Sequence, residues 1–103
     1  MHISQIIHIG SRKRILSEDI LYLQSDLNYT KVYTINGKMH LVSTTLKTIE
    51  ARLSSSAHFL RINRGLVVNS NHIKSFNKKT LTIANIELNI SRRRLSDMQN
   101  YGF

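Results

Sequence analysis

The sequence predicts a mainly β domain: antiparallel sheets of short strands, with one central helix and a short C-terminal helix. Three observations carry that fold class. Apolar runs of strand length, about 4–8 residues, recur along the chain between turn residues. Asn36-Gly37 is the strongest hairpin signal, because a type I′ turn takes positive φ at both central positions. Leu46, Ile49 and Leu53 fall at helical spacing and mark one amphipathic helix.

The elements follow in order. A first strand covers 6–11, with a turn at Gly10-Ser11. Arg12-Lys13-Arg14 then reads as a solvated hairpin end, with a phosphate contact as the sharper alternative. Ser17-Glu18-Asp19 predicts a single helical turn, capped by the Ser17 hydroxyl and with acids near its N-terminus. Residues 20–25 form a strand and Asp26-Leu27-Asn28 a loop. Residues 30–35 alternate as a two-faced strand does, and 38–42 pair back across Asn36-Gly37. That pairing puts the 28–31 loop at the opposite end of the hairpin. Ser43, Thr44 and Thr45 offer caps for a helix over 45–53, and Ser54-Ser55-Ser56 ends it. Its Lys47, Glu50 and Arg52 face water with mixed sign, so it is expected to pack the core rather than to read a ligand. Strands at 73–76, 80–83 and 86–90 make a meander, with turns at Asn77-Lys78-Lys79 and Ala84-Asn85. Ser91 caps the final helix.

Composition narrows the class. At 103 residues the chain is read as one domain, 1–103. There are no cysteines, which removes disulfides and thiolate metal sites and fits a reducing cytoplasm. Ser4, Gln5 and His8 interrupt the N-terminal apolar run, so it is no signal peptide. No run approaches the ~20 apolar residues of a membrane span. The net charge is +9, from 15 Lys+Arg against 6 Asp+Glu. Such charge favours polyanions in a salt-sensitive way.

The stretch Phe-Leu-Arg-Ile-Asn-Arg-Gly-Leu-Val-Val-Asn-Ser-Asn, 59–71, organises the rest. Phe59-Leu60-Ile62 and Leu66-Val67-Val68 read as buried strand segments. Arg61, Asn63, Arg64 and Gly65 lie between them, and burying unpaired charge or amide is costly. The chain is therefore expected to expose a polar tip at 63–65. Its guanidinium and amide groups suit guanine edges, adenine edges and phosphates. At 92–94 three arginines occupy the first turn of a helix, against its dipole. They form either a tolerated surface cluster or an anion site with the free N–H groups.

Phe59-x-Arg61-Ile62-Asn63-Arg64-Gly65-x-x-Val68-Asn69, followed by Asn71-His72-Ile73, resembles the central motif of LytTR DNA-binding domains. Ile90-Ser91-Arg92-Arg93-Arg94-Leu95 resembles that family's closing motif. Glu18-Asp19-Ile20-Leu21-Tyr22-Leu23 with Asn28-Tyr29 resembles its opening, and Thr45-Leu46-Lys47-x-Ile49-Glu50-x-x-Leu53 its helix. The blocks stand in the family's order and cover nearly the whole chain. One departure is Gly65, where many members carry serine. The resemblance implies a mainly antiparallel β fold that binds double-stranded promoter DNA through loops, on direct repeats, with a second copy on an adjacent site. It implies base contacts from Thr30 or its neighbours Asn28 and Lys31, from Asn63 or Arg64, and from Arg92. Arg61, Asn71, Arg93 and Arg94 complete the expected DNA-contacting set. Arg64 leads, since the bare Gly65 backbone beside it would let the tip approach DNA closely. Such domains commonly follow a receiver or sensor domain in a two-component response regulator. No such domain is in this chain, which is expected to be either an excised output domain or a stand-alone regulator.

Other functions fare worse. His2, His8, His40, His58 and His72 have no close partner at metal spacing, so no metal or cofactor is expected. Asp19 and Asp26 lack a nucleophile, and no phosphate loop is present, so no enzyme is expected. The alternative is an RNA or single-stranded nucleic-acid binding β module. It needs exposed aromatics, for which Tyr22, Tyr29, Tyr33 and Phe76 are available. A protein-interaction module using Tyr29 and edge strands is the third reading.

Overall fold

The computed structural model describes residues 5–53 and 58–99. In chain order the strands are β1 (Ile6–Gly10), β2 (Lys13–Leu16), β3 (Ile20–Asp26), β4 (Tyr29–Thr34) and β5 (Met39–Val42). Helix α1 (Leu46–Arg52) follows, then β6 (Phe59–Asn63), β7 (Leu66–Asn69), β8 (Ser75–Phe76), β9 (Thr80–Ile83), β10 (Ile86–Asn89) and helix α2 (Arg92–Gln99). The fold is mainly antiparallel β with a central and a C-terminal helix, as expected. The expected helix end at 54–56 lies outside the described residues.

A five-stranded sheet in the order β5-β4-β3-β7-β6 is the frame. Period-two alternation gives it two apolar faces. On one face Ile20, Leu23, Val32, Val42 and Val67 pack against Ile7 and Ile9 of β1 and Leu46, Ile49 and Leu53. On the other, Tyr22, Leu60, Ile62, Leu66 and Val68 pack against Leu81, Ile83, Leu88 and Met98. The β1-β2 hairpin and α1 therefore cover one side. The β8-β9-β10 meander and α2 cover the other. β7 is buried along its whole length because it lies inside the sheet with a layer on each face. No helix among the described residues is long and apolar enough to cross a membrane.

Thr45 is the N-cap of α1, its hydroxyl accepting from the Thr48 N–H, as expected. Ser17 is not a cap. It is the first residue of a 3-10 turn over Ser17–Asp19, it is buried, and its hydroxyl accepts from the Gln5 N–H. The turn at Asn36-Gly37 exists but has a different form. Only Gly37 takes positive φ (80°), and the Gly37 N–H donates to Thr34 O while Thr34 N–H donates to Lys38 O. That is a three-residue loop with a glycine bulge. The paired positive φ angles fall instead at Ser11-Arg12 (53° and 61°) and Ala84-Asn85 (49° and 66°). The strand expected at 73–76 shortens to two residues, because the chain first makes a 3-10 turn over Ser70–His72.

Candidate nucleic-acid interface

Antiparallel pairing decides which loops share an end of the sheet. β3 pairs with β7 through Tyr22↔Val68 and Gln24↔Leu66, so the β3–β4 turn comes beside the β6–β7 tip. The Ser25 N–H donates to Gly65 O at 2.9 Å and locks the two together. The start of α2 joins them: Ser91 N–H donates to Ile62 O at 2.9 Å, and Asn63 Nδ2 donates to Asn89 O at 2.7 Å. Three loops, distant in sequence, thus form one surface on one edge of a rigid frame.

The tip is braced by Arg61. Its Nη1 donates to Glu50 Oε1 at 2.6 Å, its Nε to Asn63 O at 3.0 Å, and its Nη2 to Arg64 O. Glu50 is thus no water-facing residue of α1 but one end of an ion pair that is partly shielded from solvent. Arg52 likewise reaches across, donating to His8 O at 2.8 Å. Asn63 uses both ends of its amide, since its Oδ1 accepts from the Gly65 N–H at 2.8 Å. Arg61 and Asn63 therefore shape the tip, and their hydrogen-bonding groups are engaged within it rather than offered outward. The expectation places both among the DNA-contacting residues, and here both are partly exposed with their polar groups bonded inside the tip.

Arg64 is the side chain the brace leaves over. It is exposed, and among the described residues no ion pair or hydrogen bond holds its guanidinium. Gly65 has a different role from the expected one. Its φ is not in the left-handed region, and an added Cβ would meet Ser25 Oγ at 3.1 Å. The bare backbone leaves room for the Ser25 side chain on β3.

The β3–β4 turn divides its candidates. Asn28 is exposed at the apex. Lys31 lies on β4, partly exposed, with its Nζ 3.7 Å from Asp26 Oδ2. Thr30 is 0% exposed, and its hydroxyl donates to Thr44 O at 2.7 Å. Thr30 does not share the exposed surface with Asn28: alternation along β4 turns it toward the α1 side, where it ties β4 to the start of the helix.

Ser91 caps α2 through its Oγ, which accepts from the Arg94 N–H at 3.3 Å. Arg92 and Arg93 are exposed, and Arg94 is half-buried with Nη1 3.9 Å from Asp97 Oδ2. Arg61, Arg64, Ser91, Arg93 and Arg94 line one open groove of about 380 Å³. Such a groove suits an anionic oxygen. Asn71 is not part of this surface. It follows the far end of β7, beside Glu18, Asp19 and His72.

Tyr29, available in the sequence as an exposed aromatic, is joined at the surface by Leu27, which sequence reasoning does not single out. Tyr29 is 49% exposed at the start of β4. Leu27 is 94% exposed and takes a φ of 56°. A left-handed conformation costs a non-glycine residue about 1–2 kcal/mol. An apolar residue inside a loop signal, beside Asn28, gives no pattern by which to find it.

The family model described as the LytTr DNA-binding domain matches residues 10–102. No curated protein matches the chain. Among solved structures, a LytTr DNA-binding domain from Bacillus cereus matches with a TM-score of 0.75 and 20% identity, covering 97% of each chain. At that identity the likeness is one of fold.

Proposed function

The chain belongs to the LytTr DNA-binding domain family, and from that premise we propose that it reads double-stranded promoter DNA through the three loops gathered at one end of the five-stranded sheet. Arg64 is the principal base reader, with Asn28 and Arg92 as its neighbours. Arg93, Arg94 and Lys31 neutralise phosphates. The domain acts in the cytoplasm as the output module of a response regulator, with a second copy on an adjacent direct repeat.

One observation carries this reading. The locks Ser25–Gly65, Asn63–Asn89 and Ser91–Ile62 hold three loops together and leave Arg64, Arg92 and Arg93 exposed on them. Phosphate contacts position a protein on DNA and base contacts specify sequence, and this surface holds groups fit for both. A single-strand or RNA reading is less well supported. Tyr22 and Tyr33 stack on each other with centroids 4.4 Å apart and Tyr22 is buried, leaving Tyr29 as the exposed tyrosine among the described residues.

Competition between duplex and single-stranded oligonucleotides tests the proposal. Duplex should win, and its binding should weaken with salt at a log–log slope of about −0.9 per neutralised phosphate. A binding constant flat across the titration, or preference for single strands, would sink it.

A further inference from the structure

Leu27 runs against both solvation and conformation. Among the described residues it is the most exposed large apolar side chain, at 94%, and it belongs to neither core cluster. Its φ of 56° would suit glycine or asparagine. Single exposed leucines on a surface are ordinary. This one combines exposure and strain with one particular place. It stands at the apex of the two-residue turn between Asp26 and Tyr29, where β3 and β4 end as a two-stranded ribbon. The neighbouring Ser25 is bonded to Gly65, which follows Arg64. Folding gains nothing from a leucine here.

A major groove admits a two-stranded ribbon, and the thymine methyl is the one apolar group that bases display there. We propose that Leu27 is a base contact that recognises the C5-methyl of thymine in the major groove, next to the base read by Arg64. This rests on the duplex-binding reading above and adds to it a second, apolar specificity element. The polar tip supplies forked hydrogen bonding for guanine, and the leucine supplies discrimination that hydrogen bonds cannot.

The test uses a duplex selected from a random pool by the wild-type protein, with each thymine replaced in turn by uracil, which lacks only the methyl. Wild-type protein should lose about fourfold in affinity at one or two thymines, the worth of one buried methyl. Leu27→Asn should bind the thymine and uracil duplexes alike. Leu27→Gly, which also relieves the strain, should behave the same way. Both variants should be at least as resistant to urea as the wild type. Wild-type protein indifferent to uracil at every position overturns the proposal. So does a variant as sensitive to uracil as the wild type, which would make Leu27 a wedge or a structural residue. Wild-type protein that binds no duplex overturns the DNA reading itself and Leu27 with it. That result is plainly different from bound protein blind to the methyl.

Discussion

Glu50 on helix α1 accepts a 2.6 Å hydrogen bond from Arg61 on β6, and through it the helix holds the β6–β7 tip. The same guanidinium reaches the carbonyls of Asn63 and Arg64. A packing helix is thereby tied, through Arg61, to the backbone carbonyl of the exposed Arg64.

Arg61→Ala is expected to lower urea stability by about 1.5–3 kcal/mol, the usual worth of charged hydrogen bonds. It should also weaken DNA binding, because Arg64 loses its fixed carbonyl. Arg61→Lys should rescue little, since an ammonium cannot reproduce the planar fork. Paired denaturation and binding measurements check both points. Full rescue by lysine would show that charge alone, not the fork, matters here.

Thr30→Val should destabilise the domain by about 1–3 kcal/mol, because Thr44 O would lose its donor in a partly buried place. Base preference in a selected site should not change. An altered preference with unchanged stability would restore Thr30 as a DNA contact.

His40 makes stability sensitive to mild acid. Burial, then Lys13 and Lys38, hold its pKa below the ordinary histidine value. A depressed pKa means that the unfolded chain binds the proton more readily. The contribution is therefore complete above the ordinary pKa of about 6.5 and is lost as pH falls through the lower folded value. Urea midpoints taken downward from about pH 7.5 should fall across that window. His40→Gln should flatten the fall within it. An unchanged fall in the variant would assign it to other groups.

Much of the frame was legible in the sequence. Period-two alternation in 30–35 and helical spacing at Leu46, Ile49 and Leu53 each report burial directly, and the structure buries those faces. In sequence the Ser17 hydroxyl before two acids looks like a cap, whereas in the fold it accepts from the Gln5 N–H across the first hairpin. Positive φ was expected at Asn36-Gly37 and not at Ala84-Asn85. In the latter, direct pairing of Ile83 with Ile86 forces a two-residue turn whatever its residues prefer. At the site, Arg61, Asn63 and Arg64 look alike in sequence: polar residues in one motif. Only the fold separates them, since Glu50 and Asn89 arrive from elsewhere to engage the first two. The burial of Thr30 is hidden for a similar reason, because its partner Thr44 belongs to another segment.

The most direct test of the account is a base-substitution scan of the selected duplex with wild-type protein and Arg64→Ala. A bidentate arginine–guanine contact is worth about 1–3 kcal/mol of discrimination. Arg64→Ala is expected to lose preference at one base position and keep it elsewhere, with Lys78→Ala as an unaffected control. Equal weakening on every variant of the site would make Arg64 a phosphate contact and contradict its assignment as the base reader.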